Sequence, residues 1–125
     1  MNLQQVFDKV SNHLLTQNRK SMGGPGGGCA YRGDNGSSCA VGCLMPDSEY
    51  HIRMEGQNIQ DDQVWDALLT VIDPNCEDDA ISKKFDLLAD LQELHDDHEC
   101  YTWAERLNIV ASNHGLTFTL PTEGV

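Results

Sequence analysis

Asp78–Asp97, DDAISKKFDLLADLQELHDD, is the stretch on which the reading of the whole chain turns. At about 100° per residue, Ile81, Phe85, Leu87, Leu88, Leu91 and Leu94 fall on one broad apolar face, the pattern of a helix that buries one side. Asp79, Asp86, Asp90, Glu93 and Asp97 fall in a narrow band on the opposite side. From Asp86 onward these acids recur at i, i+4, i+7 and i+11, with no basic residue among them. Like charges at that spacing cost a helix about a few tenths of a kcal/mol per pair. Acids in the last turn also oppose the helix dipole. A helix selected only for stability would mix in lysine, so an unmixed acidic face points to a binding surface.

The same asymmetry runs through all 125 residues. Residues 1–60 hold five acids (Asp8, Asp34, Asp47, Glu49, Glu55) against five bases, so the net charge of −12 lies entirely in residues 61–125. There the bases are Lys83, Lys84 and Arg106. Direct nucleic-acid binding needs a basic face and is excluded on this ground. A basic protein partner fits. The N-terminal MNLQQVFDKV lacks the charged-then-apolar pattern of a signal peptide, and no apolar run approaches transmembrane length. With five cysteines, an odd count, the expectation is a cytoplasmic protein with free thiols or a metal, not a disulfide scaffold.

On the N-terminal side, residues 2–18 read as an amphipathic helix capped by Asn2, with Leu3, Val6, Phe7, Val10, Leu14 and Leu15 on one face. A Gly-rich loop follows at 20–28. It fails the phosphate-loop pattern, because Gly28 is followed by Cys29-Ala30 and not by Lys and Ser or Thr. Asp34-Asn35-Gly36 signals a hairpin over 29–41, with strands at Cys29–Arg32 and Ser38–Val41. Asp61–Ile72 reads as a helix with Val64, Trp65, Leu68, Val71 and Ile72 inward and Asp62, Asp66 and Asp73 along one flank; Pro74 ends it.

On the C-terminal side, Thr102-x-x-Glu105 forms a capping box for a last helix carrying Trp103, Leu107 and Val110 and closed by Gly115. Leu116, Phe118 and Leu120 alternate with threonines, a strand pattern over 116–120. The expected fold is α+β, in one domain spanning 1–125. A small antiparallel β-sheet, made of the hairpin and the C-terminal strand, packs with about four α-helices, and the acidic helical half covers 57–114.

A resemblance rests on Cys29-Ala30-Tyr31-Arg32, on CAVGCLMPD at Cys39–Asp47, on Tyr50 and on Met54-Glu55-Gly56. With His95-Asp96 and Trp103 downstream, these residues resemble a group of small, mostly uncharacterised proteins of phage and prophage genomes. The resemblance implies a phage-encoded accessory protein acting in a bacterial cytoplasm. It supplies no catalytic residue.

Two site chemistries compete with the acidic face. Cys29, Cys39 and Cys43 with one of His51, His95 or His98 would make a closed zinc site, although C-x9-C-x3-C is not a strong zinc spacing and Cys39 and Cys43 sit among Ala40, Val41 and Leu44 like small buried hydrophobes. His95-Asp96-Asp97-His98 resembles the start of a metal-dependent hydrolase site, which needs further ligands on other helices. The acidic face is the stronger reading. Asp86 to Asp97 spans about 16 Å at 1.5 Å rise per residue, so its four carboxylates repeat about every 5–6 Å, against one charge per about 1.7 Å of duplex DNA. Asp62, Asp66, Asp73 and the Glu77-Asp78-Asp79 cluster would bring the surface nearer to that density. The expected function is a non-enzymatic, cofactor-free inhibitor that mimics DNA. Its partner-binding residues are Asp62, Asp66, Asp73, Asp78, Asp79, Asp86, Asp90, Glu93 and Asp97. The expected target is a basic DNA-binding host protein: a topoisomerase such as gyrase, an RNA polymerase, a nuclease or a defence effector.

Overall fold

Asn2 starts the first helix as its sequence demands. In the computed structural model, which describes residues 2–23, 30–57, 59, 61–72 and 81–119, the Asn2 side chain accepts from Gln5 N–H at 2.8 Å. The Gln5 side chain returns the bond to Asn2 N–H at 2.9 Å, completing a capping box. Helix α1 runs Leu3–Gln17 and buries Val6, Phe7, Val10 and Leu14 completely. Asn18, in the left-handed region at φ 49°, ends it.

Three more helices follow: α2 (Asp62–Ile72), α3 (Ile81–Asp97) and α4 (Trp103–Asn113). Helix α3 packs against α1 and α4, and α1 also meets α4. Leu87, Leu88, Leu91 and Leu94 of α3, Leu107 and Ala111 of α4 and the fully buried Trp103 fill the centre. Helix α2 joins α3 through an edge-on contact of Trp65 with Phe85, centroids 5.1 Å apart. It joins again through Lys84, whose buried Nζ donates to the Ile72 carbonyl at 3.2 Å. An ammonium at the last carbonyls of α2 satisfies an orphan acceptor and complements the helix dipole. Helix α4 closes in a Schellman motif. Gly115 (φ +69°) donates to Ser112 O, and Leu116 donates to Ala111 O at 2.8 Å.

The expected sheet is not there: among the described residues the fold is mostly helical, with no β-sheet. The turn at the hairpin tip is correct, as a 3₁₀ turn over Asp34–Gly36 with Gly36 at φ +74°. Its flanks make a single antiparallel bridge, Arg32 with Ser38, and the chain then curls into a 3₁₀ turn at Gly42–Leu44. Cys29 lies outside the described residues. Side chains explain why no ladder grows, because they take the backbone groups that a strand partner would pair. The Glu55 carboxylate accepts from Tyr31 N–H at 2.8 Å and Arg32 N–H at 3.1 Å. Gln17 accepts from Ser38 N–H and donates to its carbonyl, both at 2.9 Å. Gln92 accepts from Val41 N–H at 3.1 Å.

The C-terminal strand fails in the same way. Leu116 and Phe118 do turn inward, and Phe118 meets Phe7 edge-on at 6.0 Å. The Thr117 backbone, however, pairs with the amide of Gln4 on α1, at 3.0 Å and 2.8 Å, and not with a strand. Leu120 lies outside the described residues. The Thr102 capping box is also corrected. Thr102 ends a 3₁₀ turn at Cys100–Thr102, and its hydroxyl donates back to Glu99 O at 2.7 Å instead of capping α4.

Candidate functional site

The outer face of α3 carries its acids in the open. Asp86, Asp90, Glu93 and Asp97 are all exposed, while the leucines of the opposite face are buried. Asp62 and Asp66 on α2 are exposed as well. Asp73, Asp78 and Asp79 lie outside the described residues. Of the nearby bases, Lys84 is withdrawn into the core beside Ile72, and Lys83 is exposed one turn ahead of Asp86. Asp90 is tied to the end of α4, where His114 Nε2 lies 2.7 Å from its Oδ2. The stripe is therefore fixed by the packing of α3; its own members are all acidic from Asp86 to Asp97, while Arg106 and His98 line a surface pocket together with Asp90 and Glu93.

Among the described residues, which leave out Cys29, the zinc candidates do not converge. Cys39 is fully buried, its Sγ accepts from Gly42 N–H at 3.2 Å, and burial raises its thiol pKa against the opposing effect of that bond. Cys43 donates its thiol to Ala40 O at 3.1 Å, and burial pushes its pKa up to about 12. Both sulfurs are thus engaged by backbone groups of their own turn. His51 is exposed and caps the 3₁₀ turn at Ile52–Met54, its Nδ1 accepting from Arg53 N–H at 3.1 Å. Among the described residues no group of three or more His, Cys, Asp or Glu side chains is placed to hold a metal ion.

His95 is buried beside Trp103, with ring centroids 5.5 Å apart. Its Nε2 accepts from Ser21 N–H at 2.9 Å, so the proton sits on Nδ1 and is donated to Asp96 Oδ1 at 2.7 Å. Both ring nitrogens are occupied, which leaves no lone pair for a metal or a substrate proton. Gln92 completes the set by donating to Asp96 at 3.0 Å while accepting from Val41 N–H. The cluster ties α3 to the loops at 20–21 and 41.

The resemblance motifs acquire physical reasons here. A Cβ on Gly42 would lie 1.9 Å from Tyr31 O, so CAVGC needs glycine at its fourth position. Glu55 of Met54-Glu55-Gly56 clamps two backbone amides and accepts the Tyr50 hydroxyl at 2.6 Å. Arg32 lies over the Tyr50 ring at 4.6 Å, pairs with Asp47 at 2.6 Å and donates to Met45 O at 3.0 Å. These residues build one scaffold for the loops between α1 and α2.

A cavity of about 470 Å³ lies between that scaffold and α3. Sequence reasoning missed it, although its α3 wall was legible: Phe85, Ala89, Gln92 and Asp96 recur at i, i+4, i+7 and i+11 along the margin of the apolar face. Among the described residues no helix is long and apolar enough to cross a membrane. Comparison with protein-family models, with curated proteins and with solved structures finds no match for this chain.

Proposed function

We propose that this chain is a phage-encoded acidic inhibitor, not an enzyme, that occupies the DNA-binding surface of a basic protein in the cytoplasm of a bacterial host. The observation that carries the reading is the exposed, one-signed line Asp86, Asp90, Glu93 and Asp97 on the helix whose other face anchors the core. Asp62 and Asp66 extend the acidic surface onto α2. Such a field attracts a basic channel, speeds encounter and competes with the phosphates that the channel normally holds. Zinc binding and metal-dependent hydrolysis have no comparable support, since Cys39, Cys43 and His95 are engaged by the fold itself.

The test is displacement of fluorescent duplex DNA from gyrase, from RNA polymerase and from a set of basic nucleases. The chain should displace DNA from at least one of them, less well as salt rises. The variant Asp66→Lys, Asp86→Lys, Asp97→Lys should lose that ability while keeping its helical circular dichroism. Equal competition by the reversed variant, or no displacement from any of these proteins, would overturn the reading.

A further inference from the structure

The cavity beside α3 has an unusual combination of walls. Phe85, Ala89, Tyr31 and Ile59 give it apolar sides, and Glu55, Glu93 and Asp96 bring three carboxylates to it. No lysine, arginine or histidine is among the described residues that line it. Two donors at its wall are committed within the protein: Tyr31 OH to Gln57 O, and Gln92 Nε2 to Asp96. Glu55 is held rigidly by two backbone amides and Tyr50. Asp96 is held by His95 and Gln92. Glu93 belongs both to this wall and to the exposed acidic stripe, so cavity and stripe form one continuous surface.

We infer that this cavity is the socket for an arginine side chain of the partner protein, an inference that rests on the proposed docking of the acidic face to a basic protein. A guanidinium carries only donors, in a planar fork that suits carboxylates, and it is weakly hydrated and stacks on aromatic rings. Its three methylenes suit the apolar walls. An acidic line alone attracts any basic surface. A preformed socket selects one residue on it, the role a buried arginine anchor plays in specific interfaces.

The probe is N-acetyl-argininamide, titrated to millimolar concentration against the ¹⁵N-labelled full chain, with N-acetyl-citrullinamide as its uncharged counterpart. Argininamide should give saturable shifts at Gly56, Phe85, Ala89 and Gln92, and citrullinamide should not. Ala89→Leu, which fills the cavity without changing charge, and Glu93→Gln should each weaken the response by about tenfold or more. Non-saturating shifts spread along Asp86–Asp97, equal responses to the two probes, or an unchanged response in Ala89→Leu would each overturn the socket. The two readings fail separately. If Ala89→Leu displaces DNA as well as the parent while Asp66→Lys, Asp86→Lys, Asp97→Lys does not, the socket falls and the acidic face stands. If neither variant loses displacement, the acidic face falls too.

Discussion

The backbone N–H of Ser21 donates to Nε2 of His95 at 2.9 Å, in a site where both residues are fully buried. That one bond decides the tautomer and occupies the lone pair that a metal would need. Long-range ¹H–¹⁵N correlation of the imidazole should therefore show the proton on Nδ1. His95→Ala should cost about 2–4 kcal/mol in urea unfolding, from the cavity left beside Trp103 and the orphaned Ser21 N–H.

Alkaline pH should loosen the loop scaffold in a defined order. Burial, reinforced by its hydrogen bond to Glu55, raises the Tyr50 hydroxyl from 10.0 to about 12. Tyr31, raised first of all by burial, lies higher still. A folded-state pKa above the unfolded one means stability that is whole below pH 10 and is lost as pH rises through about 12. Tyrosinate absorbance should show a late step for Tyr50 that is absent in Tyr50→Phe and coincides with loss of near-ultraviolet circular dichroism.

Two glycines should respond differently to alanine. At Gly42 the added Cβ would lie 1.9 Å from the Tyr31 carbonyl oxygen, a backbone atom that cannot step aside alone. At Gly36, φ is +74° but the space is open. Gly42→Ala should destabilise by about 3 kcal/mol and Gly36→Ala by about 1 kcal/mol, as read from urea midpoints.

The acidic stripe should carry a small cost in stability. Asp86→Asn with Glu93→Gln removes like-charge repulsion and should raise stability by about a few tenths of a kcal/mol at low salt, a gain that fades as salt rises. The same pair should weaken displacement of DNA from the partner. Gain in one assay and loss in the other would mark a surface kept for binding.

The helices were legible because their signals are local. The Asn2 cap, the leucines of α3 and Gly115 at the end of α4 each act over a few residues, and each is where the pattern placed it. The sheet was misread because alternation reports which side chains turn inward, not what the backbone between them pairs with. Leu116 and Phe118 do turn inward, but the partner of Thr117 is Gln4. Glu55, Gln17 and Gln92 likewise take the amides of Tyr31, Ser38 and Val41, from 24, 21 and 51 residues away. No window on the sequence contains both members of such a pair. Lys84 shows the same limit. Its position above Leu88 and Leu91 was visible, but the carbonyl of Ile72 that receives its ammonium was not.

The pairing of Gln4 with Thr117 joins residues 113 apart. The helix that Gln4 opens has its main partners in α3 and α4, near the other end of the chain. A ribosome therefore makes α1, and then the turn at Gly42–Leu44 that also packs on it, well before the helices that complete the cover over Phe7 and Leu14. Whatever order the nascent chain acquires first, the core around Phe7 and Leu14 cannot close until α3 and α4 have both been made, so its closure is set by long-range contacts and not by local ones.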